Sequence, residues 1–485
     1  MTSSYDPCRA NYPHSTSSRA RSAVEAPAND TGSDKVVDPA LVRFDIGHSE
    51  YEALIEADTA FWALARKDRS EELLRDPAFL TKVAESGSLF SAEMKHLRFG
   101  LVPSAVYFNP TERCNLDCTY CYIPGQMRRH GSHMSREKLV EALETLLEFF
   151  HEKMPKQDKP QLIFHGSEPM LNRANLFEVI DEFRDDYIFG IQTNGTLLDA
   201  EALEFITSRG ISLGLSLDGP TPEITDRTRH TFSGHGIHER VVEALEKLRG
   251  YKNYSVIATV TTENLDHLNG IVELFHSLEV PTCMLNQVRC TLVGGDRVRP
   301  DDQLFFSAYQ SALERTYELY QESGRKLVVA NFANVILGVV APTARRLMCD
   351  ISPCGGGRCF FAVSAEGDLF PCSEFIGLKT FSGGNLFSGG LGSCFETEAF
   401  RSVTGRMIEE ISECGSCPIR HFCGAPCPAE AHERNGGLNM RGAFCDFYKE
   451  QVRYVMRLIA DGRENDFLWD GWDQEMPTVF ELTMD

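Results

Sequence analysis

The sequence predicts an α/β fold, in which a partial, TIM-like (β/α)6 barrel lies between a small N-terminal module and a cysteine-rich C-terminal domain. Three observations predict it. Short apolar runs alternate with longer amphipathic segments from about position 105 onward, ten of the 16 cysteines lie between positions 349 and 445, and positions 41–100 carry strand and helix patterns of their own. Repeated alternation indicates parallel strands with right-handed crossovers, and six units indicate an open barrel rather than a closed eightfold one.

Length and composition limit the classes of function. The 485 residues suffice for two or three domains, and the formal charge of −22 argues against nucleic acid and anionic membrane surfaces as partners. The sequence shows neither the apolar core of a secretory signal nor the roughly 18 uninterrupted apolar residues of a membrane span. We therefore expect a soluble, cytoplasmic protein, in which clustered thiols indicate metal binding rather than disulfides.

The N-terminal hundred residues divide into two parts. Positions 1–40 are rich in Ser, Thr, Pro, Asn and Asp and lack an apolar period, so they are expected to be disordered. Positions 41–46 alternate like a short strand, whereas 51–66 and 70–86 carry helix-like apolar spacing. The module at 41–100 is expected either to bind a peptide substrate or to cap the next domain.

The barrel is predicted within positions 101–340. Its strands are expected at 105–109, 161–165, 188–193, 211–216, 255–260 and 282–288, and its helices at 135–151, 173–184, 199–208, 234–249, 265–277 and 302–323. Ser135 is placed to cap the first of these helices. Chemistry in such barrels occurs at the carboxyl ends of the strands, and the motifs described below follow those ends.

Three cysteines follow the first barrel strand. Cys114, Cys118 and Cys121 have the spacing C-x3-C-x2-C, and soft thiolate ligands select iron–sulfur clusters or zinc. Three ligands would leave the fourth iron of a cluster open, and an open iron could chelate the amino and carboxylate groups of a methionine moiety. The alternative is a zinc knuckle, which normally takes four ligands in two pairs.

This loop, with Tyr122 after it, resembles the signature of the radical S-adenosylmethionine (SAM) superfamily. Later strand ends carry further motifs in the order that the family requires: Gly166-Ser167-Glu168-Pro169, Gln192-Thr193-Asn194-Gly195 and Ser216-Leu217-Asp218-Gly219-Pro220. The first resembles the family's Gly-Gly-Glu-Pro segment, with Ser167 as a small departure. Each motif alone is weak evidence, because polar residues at strand ends are common caps and turns.

The resemblance implies roles for these residues in binding SAM. The backbone of the Gly166–Pro169 motif and the Glu168 carboxylate are implied to hold the methionine ammonium. Thr193 and Asn194 are further candidate contacts. The remaining implied contacts are Ser216 and Asp218 at the ribose and methionine end, Arg229 at the carboxylate and Tyr120 near the adenine.

The C-terminal cysteines form a second pattern. Twelve residues, Gly367 among them, separate Cys359 from Cys372, and the run Cys414-x2-Cys417-x5-Cys423-x3-Cys427 precedes Cys445. This pattern is similar to the SPASM extension, which carries two auxiliary four-iron clusters in many peptide-modifying enzymes. A zinc ribbon is the alternative for Cys414 and Cys417 taken singly. The C-terminal domain is expected at 341–455, followed by a tail at 456–485.

The resemblance also implies a ligand set for each auxiliary cluster. Cys354, Cys359, Cys372 and Cys427 would hold the first, and Cys414, Cys417, Cys423 and Cys445 the second. Cys349 competes with Cys354 for the first place, and spacing favours Cys354. The other cysteines are expected to be packing residues, although Cys283 and Cys290 bracket the end of a strand near the expected active site: Cys8, Cys283, Cys290 and Cys394.

The implied cofactors are three [4Fe-4S] clusters and SAM, which is cleaved to a 5′-deoxyadenosyl radical. The implied partners are a precursor peptide or protein and an external electron donor such as flavodoxin or ferredoxin. Anaerobic sulfatase maturases, which form formylglycine, place an Asp base where this chain has Ser373, although Glu374 could replace it. Cross-linking of a peptide through a thioether or carbon–carbon bond, as in the quinohemoprotein amine dehydrogenase maturase, is therefore preferred over formylglycine formation.

Three other interpretations of the sequence remain open. An iron–sulfur protein that only transfers electrons would not need the motifs at the second and fourth strand ends. A zinc-stapled scaffold would contain no iron. A small-molecule oxidase of the same superfamily would share every motif, and only a candidate substrate separates it.

Overall fold

The computed structural model describes residues 9–10, 40–155, 158–291, 293–423 and 427–472. Within them, nine strands form one sheet in the order β11-β10-β9-β8-β7-β6-β5-β12-β13, and four form a second in the order β1-β4-β3-β2. The strands are β1 Arg9–Ala10, β2 Leu41–Phe44, β3 Tyr51–Glu56, β4 Phe61–Arg66, β5 Ala105–Phe108, β6 Gln161–Phe164, β7 Ile188–Thr193, β8 Ser212–Ser216, β9 Tyr254–Val260, β10 Thr282–Gln287, β11 Val328–Val329, β12 Phe360–Val363 and β13 Leu369–Phe370.

The six predicted barrel strands are confirmed as β5 to β10, each within one residue at both ends. All neighbouring pairs among them are parallel. The helices are α1 Ser70–Leu73, α2 Pro77–Lys95, α3 Gly125–His130, α4 Arg136–Lys153, α5 Arg173–Glu182, α6 Ala200–Ser208, α7 Pro222–Thr228, α8 His238–Lys247, α9 Leu268–Ser277, α10 Val293–Arg297, α11 Asp302–Ser323, α12 Ala330–Val340, α13 Leu391–Cys394, α14 Glu398–Thr404, α15 Pro428–Asn435 and α16 Cys445–Asp461.

Shorter helical turns connect these elements. A π-helical turn spans His96–Gly100, and 3-10 turns span Pro169–Asn172, Leu265–His267, Pro342–Ala344, Met348–Asp350, Ser373–Phe375, Lys379–Phe381, Leu386–Ser388, Ile408–Glu410 and Glu464–Phe467. The predicted cap is present, because Ser135 accepts from the Lys138 amide at the start of α4. None of the helices in the described part of the chain combines the length and the apolar character needed to cross a membrane.

The N-terminal module differs from the prediction. Positions 51–66 were expected to be helical, but they form the antiparallel hairpin of β3 and β4. Both faces of this hairpin are buried: Phe61 and Ala63 pack towards α2, while Trp62 and Leu64 pack into the main core. Burial on both faces hides the polar alternation that identifies a strand, so the apolar run looked helical.

The rest of the module also departs from the prediction. The expected helix at 70–86 is two helices, because Asp76 caps a new helix that begins at Pro77. Arg9–Ala10 pair with β4, and positions 1–8 and 11–39 of the predicted disordered tail lie outside the described residues. The module is attached to the barrel and to the C-terminal helix, since Trp62 Nε1 donates to the Val339 carbonyl and Arg457 donates to the Ile46 carbonyl.

The cysteine-rich region is continuous with the barrel. Strand β12 pairs in parallel with β5, in the register Phe360 to Ala105, and β13 follows it antiparallel. The region predicted as a tail, 456–485, contains the end of α16 at Asp461 and the buried Trp469. Residues after 472 lie outside the described residues.

Candidate active site and metal centres

The Cys114–Cys121 loop leaves β5 at its carboxyl end. The Cys114, Cys118 and Cys121 thiols lie close enough to influence one another's ionisation. Burial raises the pKa of Cys114 to about 12 and that of Cys118 to about 11. These thiols are therefore protonated at neutral pH, and binding of iron would release their protons.

Glu168 forms hydrogen bonds that connect the ends of the neighbouring strands β6 and β7. It is fully buried at the end of β6, and burial raises its pKa. Oε1 accepts from the Met170 amide and the Thr193 hydroxyl at 3.0 and 2.7 Å, and Oε2 accepts from the Asn194 amide at 2.7 Å. Because Oε2 accepts one hydrogen bond from the part of the chain that the structure describes, it keeps the capacity to accept from an ammonium group.

Asn194 connects this cluster of strand ends to the cysteine loop. Its Nδ2 donates to Asn115 Oδ1 at 2.8 Å and lies 3.8 Å from the Cys114 sulfur. Asn115 in turn donates to the Thr196 hydroxyl. The end of β7 therefore sets the position of the loop that follows β5.

The motif at Gly166 has a steric requirement that the sequence meets. Gly166 has a φ of 108°, and a Cβ there would lie 2.6 Å from the Asn109 side chain. Position 167 has no such restriction, and the Ser167 hydroxyl donates to the Glu112 carbonyl at 2.6 Å. The departure from the family's second glycine therefore adds a bond to the neighbouring loop rather than disturbing the turn.

Tyr120, Asp218 and Arg229 form one buried group. The Tyr120 hydroxyl donates to Asp218, Arg229 donates to the Tyr120 oxygen at 2.6 Å, and Arg229 lies 3.6 Å from the carboxylate. All three are less than 10% exposed. Ser216 is half-buried at the end of β8, two residues before Asp218. Tyr120, Asp218 and Arg229, which are expected at different ends of SAM, therefore contact one another directly.

The C-terminal cysteines fall into two groups. The thiols of Cys354, Cys372 and Cys427 act on one another, and Cys359 is adjacent to Cys354. Cys414, Cys417 and Cys445 form the second group, and Cys423 follows Cys417 six positions later. Among the described residues no three His, Cys, Asp or Glu side chains converge on a single metal ion. Cluster thiolates bind different iron atoms and therefore lie farther apart than the ligands of one ion.

A local hydrogen bond distinguishes several of these cysteines. The amide two residues later donates to the sulfur of Cys114 at 3.4 Å and to that of Cys354 at 3.3 Å. Cys121 and Cys372 receive the same bond from their own second neighbours, Ile123 and Glu374. Amide donors to sulfur stabilise thiolates and are among the factors that set cluster potentials.

Buried arginines surround the C-terminal cysteines and fit anionic clusters there. Five buried arginines lie between positions 345 and 420. Arg345 is 1% exposed, its Nε and one Nη have no hydrogen-bond partner among the described residues, and the Cys423 thiol acts on it. The Asp350 and Glu93 carboxylates also act on Arg345, and a cluster held by thiolates would add negative charge beside these buried guanidinium groups. The auxiliary ligand sets therefore fit [4Fe-4S] clusters.

Glu374 lies between the Cys114–Cys121 loop and the C-terminal cysteine group that contains Cys372 and Cys427. Its charge acts on Cys121 and Tyr122 on one side and on Cys372 and Cys427 on the other. Burial raises the pKa of Glu374, and Arg289 lies 3.4 Å from its Oε1. Its Oε2 is buried without a hydrogen-bond partner in the described part of the chain. This oxygen is available to a substrate group.

Arg289 is a site residue that sequence reasoning missed. It follows β10, the sixth barrel strand, so its position at a strand end was a usable signal. Of the remaining cysteines, Cys283, Cys290 and Cys394 are buried, Cys349 is exposed and acts on Cys354 and Cys372, and Cys8 lies outside the described residues. The open choice between Cys349 and Cys354 thus concerns two thiols at one site.

Comparisons with known proteins agree with this geometry. Residues 108–275 match the family model of the radical SAM superfamily. An uncharacterized protein from Archaeoglobus fulgidus is 40% identical over 405 residues, which cover 84% of this chain and 91% of that protein. A cysteine-type anaerobic sulfatase-maturating enzyme from Clostridium perfringens is 24% identical, with coverage of 71% of this chain and 94% of the enzyme.

Two solved structures share the fold. The sulfatase-maturating enzyme anSMEcpe, solved with bound AdoMet and a peptide, has a TM-score of 0.64 and 21% identity over 75% of this chain and 99% of its own. SuiB from Streptococcus suis, solved with its precursor peptide SuiA, has a TM-score of 0.54 and 14% identity over 76% of this chain and 81% of its own. At these identities the likeness concerns the fold.

Proposed function

The chain is an enzyme that belongs to the radical SAM superfamily, and from this premise we propose that it oxidises a ribosomally made peptide or protein by forming a thioether or carbon–carbon cross-link. One observation carries the radical chemistry: Glu168, Asn194 and Asp218, from three successive strand ends, surround the loop of Cys114, Cys118 and Cys121. When SAM and a reduced cluster are bound there, the cluster supplies the electron that breaks a carbon–sulfur bond of the sulfonium.

The protein's own part is to bind and to exclude water. The 5′-deoxyadenosyl radical reacts with almost any nearby group, so the substrate has to be in place before it forms. Tyr120, Asp218 and Arg229 provide a buried, preformed cradle for the cofactor. The pairing of β12 with β5 places the C-terminal cysteines beside the first barrel strand, where they can shield the site.

Formation of a cross-link removes two hydrogens from the substrate. One would leave as a hydrogen atom, taken up by the 5′-deoxyadenosyl radical to give 5′-deoxyadenosine. The other would leave as a proton, which Glu374 Oε2, without a hydrogen-bond partner among the described residues, is placed to accept. One electron then remains, and the two auxiliary cysteine groups would hold its acceptors. The first group lies close to Glu374, which supports this order of events.

A polypeptide substrate is supported by the comparisons and by the cysteines. The anSMEcpe and SuiB structures contain bound peptides, and both share this fold. Eight candidate auxiliary ligands are also typical of peptide-modifying members of the superfamily. The first cluster would be reduced by an external donor such as flavodoxin or ferredoxin, in the reducing cytoplasm that so many free thiols require. The contacts of Trp62 and Arg457 favour a capping role for the module at 41–100 over a separate peptide-binding role.

Formylglycine formation is the second candidate, because a sulfatase-maturating enzyme is 24% identical over most of its length. Ser373 stands where that family places its Asp base, and Ser373 cannot take up a proton in the same way. Glu374 follows directly and is the nearest carboxylate to Cys372 in the chain. Because of this difference at position 373, cross-linking is preferred over formylglycine formation.

The experiment separates the candidates. The chain is purified and reconstituted without oxygen, then incubated with dithionite, SAM and a synthetic peptide encoded beside its gene. We expect 5′-deoxyadenosine together with a peptide that has lost two hydrogens and does not react with a hydrazine. A hydrazine-reactive aldehyde would support formylglycine formation instead. Absence of 5′-deoxyadenosine from an iron-loaded protein would overturn the radical reaction.

The first auxiliary ligand can be tested by a matched pair of variants. Cys354→Ser is expected to lose one cluster, so that bound iron falls from about twelve to about eight atoms per chain. Cys349→Ser is expected to retain all of it, because of these two cysteines Cys354 alone shows, among the described residues, the amide-to-sulfur bond seen at Cys114. Iron analysis and the iron–sulfur absorbance measure both. The reverse result would assign the ligand to Cys349.

A further inference from the structure

One buried arginine, Arg406, lies between the two auxiliary cysteine groups. Its side chain is 2% exposed. It follows α14 by two residues and precedes Cys414 by eight. The segment that carries it therefore leads directly into the second cysteine group.

The same segment is attached to the first group. Arg358, next to Cys359, donates through one Nη to the Arg406 carbonyl at 3.3 Å and through Nε to the Thr404 carbonyl at 3.1 Å. The glycine turn after Cys354 packs on it closely, since a Cβ on Gly357 would lie 2.8 Å from the Thr404 methyl. The backbone around Arg406 is thus held against the loop of Cys354 and Cys359.

The electrostatic surroundings of Arg406 include both groups. The thiols of Cys354 and Cys427, from the first group, and of Cys414, from the second, all act on its guanidinium. Burial lowers the pKa of Arg406, whereas these three thiols raise it. An arginine keeps its charge in proteins, so this position holds a permanent cation.

We propose that Arg406 is a shared electrostatic stabiliser of both auxiliary clusters, which raises the reduction potential of each. The inference rests on the proposed function, since it requires that both ligand sets hold clusters. A cluster held by four thiolates becomes more negative when it is reduced, so a fixed cation beside it stabilises the reduced form more than the oxidised form. Burial strengthens this effect, because little water screens it.

The test is a potentiometric titration of the full chain, reconstituted without oxygen and followed by electron paramagnetic resonance. Arg406→Gln is expected to lower the equilibrium constant for reduction of both auxiliary clusters by about tenfold or more, which is about 59 mV for a one-electron couple. Arg406→Lys keeps the charge and is expected to shift them by less. The potential of the Cys114–Cys121 cluster is expected to stay unchanged.

A matched control removes a cation that lies near the second auxiliary cysteine group. Arg441 is 48% exposed on its side chain, binds Glu413 and acts on Cys445. Arg441→Gln is therefore expected to shift only the second auxiliary cluster, and by less than Arg406→Gln, because solvent screens it.

Each outcome decides the proposal. If Arg406→Gln leaves both potentials unchanged, or moves only one, Arg406 is not a shared stabiliser. If this variant loses auxiliary iron while Arg406→Lys keeps it, the charge requirement is supported; if both lose iron equally, side-chain shape rather than charge is responsible and the proposal fails. Formation of 5′-deoxyadenosine is measured in parallel, since its absence from wild-type protein would instead overturn the proposed function.

Discussion

Replacement of Cys118 by alanine is expected to abolish formation of 5′-deoxyadenosine from SAM. Cys118 lies in the middle of the three-thiol loop, and its thiol is adjacent to those of Cys114 and Cys121. With two thiolates left, the loop cannot hold a cluster with a single open iron, so SAM loses both its electron donor and its anchor. The measurement is 5′-deoxyadenosine per chain after anaerobic incubation with dithionite and SAM, with iron counted on the same sample.

The iron count makes this result specific. The variant is expected to keep about eight iron atoms per chain, because the two auxiliary groups are intact. Cys394→Ala is the matched control, since Cys394 is fully buried and its thiol donates to the Leu391 carbonyl. It is expected to retain about twelve irons and full cleavage of SAM. Cleavage by Cys118→Ala at the wild-type rate would exclude this loop as the site.

The barrel was predictable from sequence because each of its units carries its own local signal. A run of four to seven apolar residues followed by a helix with one apolar face identifies a strand and its crossover without knowledge of its neighbours. The strands from Ala105–Phe108 to Thr282–Gln287 accordingly match prediction within one residue. Parallel pairing then follows from the connections.

The N-terminal hairpin was not predictable in the same way. Tyr51–Glu56 and Phe61–Arg66 are buried on both faces by parts of the chain that come later: α2 on one side, and the Val339 region of the barrel on the other. A local sequence pattern does not reveal a packing partner that lies later in the chain. The same limit applies to Trp469, whose burial depends on neighbours such as Arg346 and Thr282.

The same distinction between local and long-range signals applies to the residues of the candidate site. Thiol spacings and strand-end motifs are local, so the sequence indicated Cys114, Glu168 and Asp218, and the structure places them around one site. Arg289 and Arg406 belong to no motif. Their relation to Glu374 and to the auxiliary thiols arises only when β10 and the segment after α14 fold against the cysteine loops.

The second large effect is expected at Asp218, where replacement by alanine should both destabilise the protein and prevent SAM binding. Its carboxylate is 1% exposed, accepts from the Thr259 amide at 2.9 Å and from the Tyr120 hydroxyl, and faces Arg229 at 3.6 Å. Without it, the buried Arg229 guanidinium loses its ion-pair partner at 3.6 Å. Loss of one partner of a buried ion pair costs about 3–5 kcal/mol of unfolding free energy.

Two measurements separate the effects. Denaturant unfolding of anaerobically purified protein gives the stability change, and equilibrium dialysis with labelled SAM gives the loss of binding. Asp185→Ala is the control, because its side chain is 90% exposed and faces Arg184 at 4.0 Å. It is expected to change stability by less than about 0.5 kcal/mol.

The origin of the cost can be checked by removing the partner charge as well. If Asp218→Ala is costly because Arg229 is left uncompensated, the double variant Asp218→Ala with Arg229→Gln should unfold with a smaller penalty than the sum of the two single changes. A coupling of about 0.5–3 kcal/mol is expected for groups in direct contact. Strict additivity would mean that Tyr120 and the Thr259 amide, rather than the ion pair, account for the role of Asp218. SAM binding should remain lost in the double variant, because relief of the buried charge restores stability without restoring the cradle.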